Sequence, residues 1–78
     1  MNIKNLHIQL TKDEAIVLFE FLGRFNERAD SERFEDHAEE RVLWDIECLL
    51  QKELSESFQA DYQKIVKRAR KNVRDEKE

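Results

Sequence analysis

The 78-residue chain contains no proline and only one glycine, Gly23. Sharp backbone reversals are built largely on those two residues, so the composition points to helices joined by polar loops. No Ser/Gly-rich linker, internal repeat or low-complexity tract divides the chain, and a length of this order holds one small domain rather than two. The charged end RDEKE is expected to fray.

The apolar spacing predicts a mainly α fold: three helices preceded by a short N-terminal β-strand. Leu6-His7-Ile8-Gln9-Leu10 alternates strictly, which marks a strand over about 6–10. Thr11-Lys12-Asp13-Glu14 has the capping-box arrangement, so the first helix runs over about 12–26 with acids at its positive end. Its apolar residues, from Ala15 to Phe25, fill an arc of about 200 degrees, more than a surface helix needs. This helix therefore requires two neighbours, or a neighbour and a strand. Gly23 falls on its polar side, either as a tolerated glycine near a helix end or as a point of close backbone approach. The run NERADSERF reads as a polar loop, with room for a helical turn. Asp36 and Glu39 signal a second cap and a helix over about 36–53, whose core arc is Ala38, Val42, Leu43, Ile46, Leu49, Leu50 and Leu54. Ser55-Glu56-Ser57 ends it. A third helix over about 60–74 carries a narrow stripe of Tyr62, Ile65, Val66, Ala69 and Val73, with Lys64, Lys67, Arg68, Arg70, Lys71 and Arg74 on its other faces. Residues 75–78 form a charged tail.

Trp44, the only tryptophan, projects roughly opposite the centre of that core arc, with His37 and Cys48 beside it. Such an aromatic buries ~150 to 250 Å², worth ~4 to 6 kcal/mol at ~25 cal/mol per Å². Against a whole-domain stability of ~5 to 15 kcal/mol, a cover is expected. Three candidates stand in order: the third helix, docking its apolar stripe there with its basic flanks on the acids around Trp44; a second copy of the chain; or a foreign protein, since Trp and Arg favour interfaces. The strand poses a related problem, because a lone strand cannot satisfy its own backbone. It either pairs across a two-fold axis with a second copy or packs as an extended arm on the helices. The candidate interface residues are thus Leu6, Ile8, Leu10, His37, Trp44 and Cys48.

A strand followed by two helices resembles the ribbon-helix-helix repressors. That resemblance implies a DNA-binding regulator whose strand alternates, here Asn5, His7 and Gln9, face the major groove. Against it, the second helix starts in the acidic run Glu35-Asp36-His37-Ala38-Glu39-Glu40, where that family grips phosphate, and the outward strand residues include no Arg or Lys. The order LTKDEAIVLFEFLGRF, acidic loop, EDHAEERVLWDIECLL and basic tail helix also resembles a group of short uncharacterised bacterial proteins, which implies no activity, cofactor or substrate.

Charge separates along the chain. Residues 27–56 carry eleven acids against four bases, and residues 57–78 seven bases against four acids, within a net charge of −4. Nucleic acid is disfavoured as a partner on these grounds, and the two segments are able to neutralise each other. A single glycine excludes a phosphate-binding loop. His37 and Cys48 lie ~16 Å apart along one helix, too far for a nucleophile and its base. Acid pairs such as Glu39/Glu40 and Asp36/Glu40 read as solvated surface rather than a cation site. No enzyme, metal or cofactor is expected. One cysteine, no leader pattern and no run near ~18 apolar residues suggest a cytoplasmic protein off the membrane. The expectation is a small interaction or regulatory protein, self-associating as a homodimer, with an unidentified protein partner as the other possibility.

Overall fold

Each helix begins where a side chain satisfies otherwise free backbone amides. The computed structural model of the chain describes residues 5–28, 33–54 and 61–76. Helix α1 spans Lys12–Glu27. The Thr11 hydroxyl accepts from the Glu14 amide at 3.0 Å while Glu14 Oε1 accepts from the Thr11 amide at 2.9 Å, the complete box expected from the sequence. Helix α2 spans His37–Leu54 with Asp36 as its cap, as expected, although Glu39 reaches back one residue further than in the box. Asp36 Oδ1 accepts from the Ala38 amide at 2.7 Å, and Glu39 Oε1 from the Glu35 amide at 2.9 Å. Helix α3 spans Tyr62–Glu76. It starts at Tyr62, the first residue of its apolar stripe, because Asp61 precedes it, accepting from the Lys64 amide at 3.4 Å, and it runs past the expected end to take in Asp75 and Glu76 of the expected tail.

Helix α1 is central: the backbones of α2 and α3 each come close to it and not to one another. The wide apolar arc of α1 thus receives its two neighbours. The core is formed by Ala15 and Ile16 of α1, Leu54 of α2, and Val66 and Ala69 of α3, with Leu50, Tyr62 and Ile65 packed around them. Leu22 is buried as well. Ala69 has no exposed surface, so α3 meets α1 through a small side chain while Tyr62 and Ile65 flank the contact. Polar links fix the same pairing. Glu20 Oε1 accepts from Arg24 Nε and from Arg70 Nη2, both at 2.9 Å, joining α1 to α3, and Asn72 Nδ2 donates to Asp13 Oδ2 at 3.0 Å. Burial raises the Tyr62 phenol above its ordinary range, and the Glu20 carboxylate adds to that rise against the opposing pull of Arg70 and Arg24.

The predicted strand is not formed. Residues 5–10 carry no secondary structure, and no strand occurs among the described residues to pair with them. The physical reason is the one that made the strand suspect: a single ladder edge gains no hydrogen bonds without a second one. The segment instead skirts the end of α2, where Ile8, Gln9 and Leu10 line an open cleft with Leu50, Glu53 and Leu54. The tail residues 77–78 and the break at Ser55-Glu56-Ser57 lie outside the described residues. Among the described residues no helix is long and apolar enough to cross a membrane.

Candidate interaction surfaces

Helix α2 determines what the domain leaves uncovered. It buries Leu54 and half-buries Leu43, Ile46 and Leu50, together with the acidic Glu40 and Glu47. At 100 degrees per residue this buried arc is turned about 60 degrees from the one expected from the apolar spacing. The turn has a visible cause in a polar clasp. Asn26 of α1 donates through Nδ2 to Glu47 Oε1 at 2.7 Å and to the Leu43 carbonyl at 3.5 Å. Glu47 also lies over Gly23, where an added Cβ would meet its Oε2 at 3.7 Å, an ordinary contact. Gly23 is therefore the tolerated glycine of the two readings. Periodicity alone could not reveal an Asn–Glu pair that draws an acid toward the core.

The consequence is that three residues assigned to the core, Ala38, Val42 and Leu49, are outside it. Val42 is 53% exposed and Leu49 62%. Around this stripe stand the exposed acids Glu39, Asp45 and Glu53. Trp44 moves from opposite the core to its flank and remains 48% exposed. The third helix does not cover it, contrary to the first of the three expectations, because the stripe of α3 is fully engaged on α1. Nor do the bases of α3 meet the acids of α2: no ion pair joins those two helices among the described residues. Beside Trp44 lie His37, Ala38, Glu40 and Arg41, which frame a shallow hollow with it. His37 Nδ1 is 4.0 Å from Glu40 Oε1, and Arg41 Nε is 3.7 Å from Asp45 Oδ1. Cys48 is an exposed free thiol. So His37, Trp44 and Cys48 share an open side of α2, while Leu6, Ile8 and Leu10 belong to a separate exposed arm, with Leu6 at 91% and Ile8 at 83%.

Two further features complete the surface. At the end of α1, Phe21 stacks on Phe25 at 5.7 Å between ring centres, and Phe34 meets Phe25 edge-on at 5.9 Å, with Arg24 over the Phe21 ring and Arg33 over the Phe25 ring. Phe21 itself stays exposed. On α3, Lys64, Lys67, Arg68, Arg70, Lys71 and Arg74 line one continuous outer face. Comparison with known protein families, curated proteins and solved structures gives no match, so the chemistry of these surfaces carries the functional reading.

Proposed function

We propose that this chain is a small non-enzymatic interaction or regulatory protein that works as a homodimer in the cytoplasm. The observation behind the reading is uncovered apolar surface. Among the described residues, Leu6, Ile8, Leu10, Phe21, Val42, Trp44 and Leu49 contribute to it. In this reading the Leu6 to Leu10 arm becomes a strand when a second copy supplies the other edge.

Size-exclusion chromatography with light scattering tests the proposal. Twice the monomer mass at micromolar concentration is expected, and a clean monomer there would sink it. Trp44 fluorescence adds a local readout: emission should shift to the red as the dimer is diluted apart. The ribbon-helix-helix alternative has less behind it, because Glu35, Asp36 and Glu39 are exposed where α2 begins and would face phosphate. Tight duplex binding at low salt would revive it.

A further inference from the structure

The six bases on the outer face of α3 have almost nothing to neutralise them. Arg70 reaches Glu20, while Lys64, Lys67, Arg68, Lys71 and Arg74 make no ion pair among the described residues. Ten residues separate Lys64 from Arg74, so the charge runs about 15 Å along one helix. A single-sign face of that length wants an extended anionic partner. Among the described residues α2 offers one, the stripe of Val42 and Leu49 bordered by Glu39, Asp45 and Glu53, with Arg41 and Lys52 beyond the Asp45 edge, which spans about 21 Å. Within one chain the two surfaces do not meet: the backbones of α2 and α3 come close only to α1, and no ion pair joins the two helices among the described residues.

We infer that they meet between copies: the basic face of α3 in one protomer docks on the acid-bordered stripe of α2 in the other. This rests on the homodimer reading and specifies its contact. A two-fold axis makes the arrangement closed, since each protomer offers both surfaces and the contact occurs twice. Pairing the α2 stripe with itself would set acids against acids. The lysine and arginine stems supply the cover for Val42 and Leu49, laying their methylenes on apolar surface with the charged heads at its border. The local partners of the acids leave room for this. Glu39 accepts one backbone amide through one oxygen, and the Asp45 contact with Arg41 is long and exposed. Two other anions fit less well. A membrane surface would call for large apolar residues among the bases, and the outer face of α3 has none. A nucleic acid would approach a chain of net charge −4 whose α2 acids repel it.

A charge swap in the full chain tests the contact, read as the dimer dissociation constant by analytical ultracentrifugation at 50 and 500 mM salt. Lys67→Glu with Lys71→Glu alters exposed positions, and circular dichroism confirms that the helices remain. Affinity should fall about tenfold to thirtyfold, since each change acts twice in a symmetric dimer. Asp45→Lys with Glu53→Lys, which leaves the Glu39 bond at the start of α2 intact, should do the same, and combining all four changes should restore affinity. High salt should weaken the wild-type dimer. A dimer indifferent to both pairs overturns this inference and leaves the homodimer reading in place, whereas a monomeric wild type removes both. Duplex DNA bound by the wild type and lost with Lys67→Glu/Lys71→Glu, at an unchanged dimer constant, would assign the face to phosphate and overturn the inference.

Discussion

Leu22 and Leu49 both fall on apolar arcs in the sequence, and truncating each to alanine should have very different consequences. Leu22 is 2% exposed, against 62% for Leu49. A buried leucine cut to alanine loses its transfer free energy and leaves a cavity, about 2 to 5 kcal/mol in all. Leu49 has little more than a third of its surface covered within the protomer. With full burial worth about 1.5 to 3 kcal/mol, its truncation should cost about 1 kcal/mol or less. For a domain of this size, each kcal/mol moves the midpoint by roughly 4 to 8 °C. Leu22→Ala should therefore lower Tm by about 10 °C or more, and Leu49→Ala by a few degrees. The assay is thermal unfolding followed by circular dichroism, at a concentration low enough to hold the protein as monomer, with urea midpoints as a check on the slope. Equal losses from the two variants would refute the reasoning, because α2 would then bury the arc its apolar spacing suggests rather than the one the Asn26 and Glu47 clasp selects. The same Leu49→Ala change should weaken self-association, a readout that Leu22→Ala can affect only through folding.

Thr11→Ala removes the side-chain acceptor of the α1 cap and should destabilise the fold by about 1 kcal/mol in urea titration; no loss would mean that Glu14 alone sustains the helix start. Gly23→Ala should stabilise by about 0.5 to 1 kcal/mol, since the backbone there is helical and the new methyl meets only the end of Glu47 at ordinary distance. A loss in that variant would show that the approach of α2 needs the bare backbone. Tyr62 has its folded-state phenol pKa raised by burial first and Glu20 second. Its contribution is thus fully present below about pH 10, the unfolded value, and is lost as pH rises through the higher folded one. Unfolding curves between pH 9 and 11.5 should show a shallower alkaline decline in Tyr62→Phe than in wild type, and parallel declines would contradict the assignment.

Helix positions were legible because caps and spacing are local. Thr11 with Glu14 fixed the start of α1 to the residue, and the narrow stripe on α3 identified the face that packs. Two matters were not local. The face α2 turns inward depends on Asn26, seventeen residues before Leu43, which draws Glu47 toward α1. Apolar counting placed Val42 and Leu49 in the core because it gives a glutamate no claim on a buried position. The partner of α3 was also invisible. Its stripe suited either free apolar surface, and α1 won with Ala69 at the contact and Arg70 and Asn72 bonded to Glu20 and Asp13. Of the candidate residues, Leu6, Ile8, Leu10, His37, Trp44 and Cys48 lie on two separate surfaces, and the acids of α2 and bases of α3, read as partners within one chain, do not meet there.

The central position of α1 also bears on how the domain comes apart. In a bundle where every helix touches the other two, losing any one damages both remaining contacts. Here α3 can detach while α1 keeps α2, and α2 can detach while α1 keeps α3, although the loss of α1 leaves neither with a helix to pack on. Opening is therefore graded. The peripheral helices should open at lower cost than α1, and hydrogen exchange should find the slowest amides in α1.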